Sequence, residues 1–256
     1  MPELFDMKMR ALRRDRAARI GPELFLFDRA FEDCLERITL MNRRFERVAL
    51  IGCPDPRWPG QLRSLADAVD CFDPGPLLAA AAGGTVMVED SWSSKPATYD
   101  LVAAIGTLDT VNDLPLALRL IRNATRPNGL FIGAMSGGDT LPRLREAMRA
   151  ADAVRGVAAP RVHPRIEASA LSPLLADAGF VRPVVDVERV PVSYPSFERL
   201  VSDLRAMGAT NVLRTSVPSL TRGQRNAASR AFGEAGGNGR TTETFELLHF
   251  AAWASG

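Results

Sequence analysis

RVALIGCPDPRWPG, residues 47–60, is the stretch from which the fold can be read. Val48 to Ile51 form an unbroken apolar run that stops at Gly52, as in a strand buried on both faces that enters a tight turn. Such a turn holds a ligand when glycines let free backbone N–H groups come close to it. Here Pro54 and Pro56 stand where those glycines are wanted, and proline fixes φ and has no N–H to give.

Outward from this strand, short apolar runs recur: AVDCF (68–72), TVMVE (85–89), YDLVAAIG (99–106) and GLFIGAM (129–135). Helical spacing fills the intervals near 60–67, 76–82 and 113–124, which makes a βαβ series and predicts a doubly wound, mostly parallel sheet of Rossmann-like type. Two helices, 3–20 and 22–41, precede it, set off by the Gly21-Pro22 pair. PVVDVERVPV (183–192) and TFELLHFAAW (244–253) alternate more and predict a closing antiparallel pair. The two helical segments between them form an insertion too long for a plain connection, hence a lid or binding surface. The expected organisation is one domain: amino-terminal helices 1–45, core 46–192, helical insertion 193–240 and closing strand 241–256. GEAGGNGR (233–240) predicts a mobile turn.

The 256 residues carry a formal net charge of +2. That is too mild a balance for a nucleic-acid binder, which would cluster basic residues with aromatics. Nearly all basic residues are Arg, and Ala is abundant, which matches the codon usage of a GC-rich bacterial genome. Cys34, Cys53 and Cys71 are three and scattered, so they offer neither a disulfide framework nor a zinc site, and a reducing cytoplasm fits. No apolar run reaches 18 residues, so no membrane span is expected, while peripheral association stays open. MKMRALRRDRAAR (7–19) is Arg-rich, but neighbouring acids set it apart from a transit peptide and predict a solvated helix face.

Several segments carry a resemblance. VNDLPLALRLI (111–121), RPNGLFIGAMSGGDTLPRLREAM (126–148), LLADAGF (174–180) and YPSFERLVSDLRAMGATN (194–211) are similar to the complex I assembly factor 5 family, relatives of the malonyl-carrier-protein methyltransferase of biotin synthesis. LFDMKMRALRRDRAAR also resembles that family's basic amino-terminal segment. The resemblance implies a class I S-adenosylmethionine-dependent methyltransferase fold with a seven-stranded sheet, and a respiratory complex I subunit or assembly intermediate as partner. It also implies a cofactor side made of Gly52, Asp73, Glu89, Asp90 and Gly106. Asp73 stands at the ribose-binding carboxylate and Glu89 and Asp90 at the adenine-side acids. The substrate or partner side would draw on Asp109, Asp139, His163 and Tyr194. No catalytic residue is assigned, and no metal is expected.

The chain departs from that family's pattern, acid-x-Gly-x-Gly-x-Gly, in which Leu50, Gly52, Pro54 and Pro56 are the aligned residues. Only the first glycine remains, and Leu50 cannot accept a hydrogen bond. Two lost hydrogen bonds to charged groups, about 1.5 to 3 kcal/mol each, correspond to a ligand roughly 10²- to 10⁴-fold weaker. Past the fourth strand the family shows Leu-His-Trp, where this chain has Leu108, Asp109 and Thr110. The departures point to a methyltransferase-fold protein with weak or absent cofactor binding that acts by binding a protein. An active methyltransferase on a small-molecule, carrier-protein or protein substrate stays open, and so does an arginine-modifying, hydroxylase-type enzyme.

Nothing else in the sequence supplies a competing chemistry. His163 and His249 are the only histidines; His249 reads as a sheet-face residue and His163, in the loop PRVHPR (160–165), as a candidate for proton transfer. No Gly-x-Ser-x-Gly follows a strand, and Cys53 reads as a small buried residue rather than a nucleophile. In GGDTLPRLREA (137–147), Asp139 or Thr140 is expected to cap a helix with Pro142 in its first turn.

Overall fold

A computed structural model describes residues 3–215 and 217–256. The apolar runs form one sheet of seven strands. They are β1 (Phe45–Ile51), β2 (Ala66–Asp73), β3 (Thr85–Val86), β4 (Tyr99–Ile105), β5 (Thr125–Ser136), β6 (Phe180–Tyr194) and β7 (Thr241–Ala254). Their order across the sheet is β3-β2-β1-β4-β5-β7-β6. The first five pair in parallel, whereas β7 runs antiparallel to both β5 and β6. The order reverses between β1 and β4, and in open sheets of this kind ligands sit at the carboxyl ends of the strands beside that reversal.

Helices cover both faces. α1 (Met7–Ile20) and α2 (Phe25–Leu40) come first, then the short α3 (Trp58–Leu62) and α4 (Pro76–Ala81), then α5 (Leu114–Ala124) and α7 (Ala168–Asp177). α6 (Pro142–Ala153), α8 (Phe197–Ala206) and α9 (Arg222–Glu234) stack as a roof over the carboxyl end of the sheet, around Leu144, Ala147, Phe197, Leu200, Ala228 and Phe232. β4 is buried along its whole length, as its unbroken apolar run predicts. β6 forms the far edge, with Val181, Val184 and Val187 exposed and a register shift between Val181 and Val184, where Arg182 takes φ +52°.

Several expectations are corrected. β3 is only two residues long, because the chain leaves the sheet at Met87 and winds into a 3₁₀ turn over Glu89–Ser91. α6 is not capped by Asp139 or Thr140: Leu141 sits at its N-cap with φ +63°, and the carboxylate of Glu243 on β7 accepts the N–H groups of Arg143 (3.2 Å) and Leu144 (2.8 Å). Thr140 instead stitches to the backbone of Glu246 in both directions. The turn in 233–240 is a hydrogen-bonded hairpin, with Gly237 and Arg240 exchanging both backbone bonds. α1 has a solvated face, with Lys8, Leu12 and Arg19 exposed, but its other face is buried through Arg10, Arg14, Asp15 and Ala17.

Candidate functional site at the carboxyl ends of the strands

The opening turn is held by its own close packing and hydrogen bonds. Gly52 has φ +80°, and a Cβ there would lie 2.2 Å from the Ile105 carbonyl oxygen, so only glycine lets β1 leave the sheet against β4. Its N–H donates to Phe72 and that of Cys53 to Asp73. Neither donor points at an open site. Asp55, buried, accepts from the backbone N–H and the guanidinium of Arg57, which closes the loop on itself. Trp58 then stacks on Phe31 of α2 at 4.3 Å, and its Nε1 donates to Asp28. The two prolines therefore belong to a loop that is packed beneath α2. Cys53 is buried beside it, and the neighbouring Cys71 together with burial pushes its thiol far up.

Asp73 ends β2, fully buried. One oxygen accepts from Arg14 Nε (2.7 Å) and from the N–H of Gly75 (2.7 Å); the other accepts from Arg14 Nη2 (2.5 Å) and from the N–H of Cys53 (3.0 Å). Four donors match the roughly four lone-pair positions of a carboxylate. Glu89, also fully buried, takes a two-pronged grip from Arg10 at 2.7 and 2.8 Å, and the same guanidinium donates to the carbonyl of Thr107 at 2.6 Å. Both arginines come from α1, four residues apart and hence on one face of the helix. α1 approaches so closely that a Cβ on Gly75 would lie 2.7 Å from Cβ of Arg14.

The structure gathers Gly52, Asp73, Glu89 and Gly106 at the strand ends, with Phe27 of α2 packed over Gly106. Asp90 turns aside and accepts the N–H of Asp113 before α5. Asp109 follows β4 in the 3₁₀ turn Leu108–Thr110 and lies 3.6 Å from Arg165; burial pushes its carboxyl above the ordinary range, against the pull of Arg165 and Arg10. His163 is buried and its Nε2 accepts the N–H of Val212 at 2.8 Å. Burial, with Arg165 and Arg145 beside it, holds its pKa down at about 3, so the ring is neutral with its proton on Nδ1. Asp139 stays outside, on the surface beside Arg189, and Tyr194 is buried in the roof. His249 lies on β7, buried between Asp33 and Glu188, and does not line the cavity at the strand ends.

Sequence reasoning missed Arg10, Arg14 and Arg165. A carboxylate expected to meet a ligand, in a chain whose arginines outnumber that ligand's contacts, was the one available signal. Between α1, α2 and the roof remains a cavity of about 80 Å³, walled by Arg10, Arg14, Phe27, Asp109, His163 and Arg165 among others. Among the described residues, no group of three or more His, Cys, Asp or Glu side chains is placed to hold a metal ion. No helix among them is long and apolar enough to cross a membrane.

The same arrangement of sheet and helices occurs in solved structures. The YcgJ protein of Bacillus subtilis superposes with a TM-score of 0.61 at 10% identity, covering 88% of this chain and 99% of that one. The N-methyltransferase NodS of Bradyrhizobium japonicum, solved with S-adenosylhomocysteine, gives 0.51 at 14% identity over 97% and 99%. The fold is that of the class I methyltransferases. By sequence, the chain is 38% identical over 162 residues to the mitochondrial arginine-hydroxylase NDUFAF5 of Danio rerio, which covers 62% of this chain and 50% of that protein. It is 32% identical over 160 residues to the malonyl-[acyl-carrier protein] O-methyltransferase of Xylella fastidiosa, over 62% and 52%. The chain thus has homologues under both names and spans about half the length of each. No family model matches it.

Proposed function

We propose that this methyltransferase-fold chain has given its cofactor-side carboxylates to its own amino-terminal helix and acts by binding a protein, as an assembly-type factor. The single observation that carries this reading is Asp73. All of its acceptor positions are taken, two by Arg14 and two by backbone N–H groups, and it is fully buried.

S-adenosylmethionine is the cofactor that the fold implies, and the residues present do not fit it in this conformation. Its ribose would need Asp73, its adenine side would need Glu89, and the turn that would meet its methionine end has Leu50, Pro54 and Pro56 where an acid and two glycines are wanted. A cofactor would have to displace two buried ion pairs, each with a large penalty for the charges left behind. No methyl-transfer step is therefore derived. The resemblance to the complex I assembly factor 5 family supplies the class of partner, a respiratory complex I subunit or assembly intermediate. The roof and α1 are the surfaces that would meet it.

The test is a calorimetric titration of S-adenosylmethionine and S-adenosylhomocysteine into the purified protein, with a check for ligand carried through purification. No saturable heat at micromolar concentrations is expected. Micromolar binding would overturn the reading and return the chain to the active methyltransferases. Leu50→Asp with Pro54→Gly and Pro56→Gly, combined with Arg14→Met, is expected to strengthen binding.

A further inference from the structure

Arg165 is a buried guanidinium whose one carboxylate neighbour, Asp109, stands beyond hydrogen-bond distance. Its side chain is 4% exposed, yet its Nε has no hydrogen-bond acceptor. Asp109 stays at 3.6 Å, and the one bond made by the group is a long 3.5 Å contact from Nη1 to the His163 carbonyl. An arginine offers five donors in a planar fork, and a buried Nε–H left without an acceptor is costly unless one arrives.

Two cavities meet at this residue. Leu141, His163, Arg165, Leu204 and Ala209 wall both the cavity at the strand ends and a second pocket of about 260 Å³ inside the roof. That second pocket is lined on its apolar side by Leu144, Met148, Val162, Phe197, Val201 and Leu220, and the exposed Glu198, Arg205 and Arg225 stand in its outer wall. An apolar cavity of about 150 Å³ already holds benzene, so this one has room for a longer apolar tail. No carboxylate bridges to Arg205 or Arg225 among the ion pairs of the described residues. The surroundings of Arg165 carry further positive charge, since Arg145 donates to the same His163 carbonyl at 3.1 Å.

We propose that the roof pocket is a binding site for a carboxylate with an apolar tail, its head on the Arg165 fork and its tail among Leu144, Val201 and Leu220. A planar carboxylate matches the fork, and the apolar walls take the chain. Binding in the roof does not depend on whether the strand-end site accepts a cofactor, so the proposal stands apart from the reading of Asp73.

The probes are octanoate, octanamide and octylamine, titrated calorimetrically into the full chain. Octanoate is expected to saturate in the millimolar range or below. The amide and the amine, which lack the anionic head, should bind at least about tenfold more weakly. Val201→Phe, which fills the pocket from a half-exposed position, should abolish octanoate binding. Arg165→Gln should weaken it at least about tenfold while leaving octanamide unchanged. Should Arg165→Gln fail to fold, the comparison of acid with amide and the Val201→Phe variant still decide the matter. Equal binding of acid and amide, unchanged binding by Val201→Phe, or no saturation by octanoate would each overturn the proposal.

Discussion

Replacing Arg14 by Met keeps most of the side-chain volume and removes the charge from Asp73. The carboxylate would keep two backbone donors, from Gly75 and Cys53, and lose two charge-assisted ones inside a site closed to water. Breaking a buried pair by removing one partner costs about 3–5 kcal/mol, because the remaining charge is left uncompensated. Arg14→Met should therefore lower the unfolding free energy by about that amount in urea titration at neutral pH. Asp73→Asn removes the other charge and strands the guanidinium, with a comparable loss. The double variant should fall well short of the sum, with a coupling of about 2–3 kcal/mol. The variant also leaves two acceptor positions of Asp73 open, so S-adenosylhomocysteine should protect Arg14→Met against urea more than it protects the wild type. A loss under about 1 kcal/mol with additive single variants would refute the assignment of Arg14–Asp73 as the bond that holds α1 in the site.

Three further outcomes are expected. Gly75→Ala forces a Cβ against Arg14 and should cost about 1–3 kcal/mol, whereas Gly60→Ala, with nothing within 4 Å of the new atom, should be nearly neutral in the same thermal and urea melts. Glu243→Ala uncaps α6 and should cost about 0.5–2 kcal/mol, with Glu243→Gln recovering part of it because one acceptor oxygen remains. His163 is held neutral when folded, with its pKa down at about 3, but takes a proton in the unfolded chain below about 6.5. Its contribution is then fully present above pH 6.5 and is lost as pH falls, by about 1.4 kcal/mol per unit. His163→Gln should flatten that acid limb between pH 6.5 and 5, and an unchanged slope would count against the buried neutral ring.

The sheet was legible because β4 and the end of β1 are buried on both faces and so appear as unbroken apolar runs, stopped at Gly52 and Gly106. The same logic put Asp73 at the end of β2, whereas Glu89 falls in the 3₁₀ turn after β3. What those acids touch was not legible. Arg10 and Arg14 sit among other arginines in a helix whose apolar pattern is weak, and a buried ion pair leaves no periodic mark in the sequence. Their partners lie 79 and 59 residues away, beyond the reach of any spacing rule. The cap of α6 fails for a related reason: Glu243 comes from a strand about a hundred residues downstream and outcompetes Asp139 and Thr140, which a local rule would choose. The family motif marks Asp139 and Tyr194 alike, yet the first faces solvent while the second fills the roof, a difference that only the fold reveals. That Pro54 and Pro56 have no N–H to give follows from their chemistry, but that Trp58 stacks on Phe31 needed the fold.

The edge strand β6 carries one more consequence. Fifteen residues long and lined by exposed Val181, Val184 and Val187, it has the length and character of a template on which a second strand could assemble. Pro183 and Pro191 interrupt its row of donors, and the kink at Arg182 twists its first third away from the rest. Pro183→Val with Pro191→Val would restore a continuous donor row, and the doubly substituted chain would then be expected to form fibrils or precipitate on storage faster than the natural sequence.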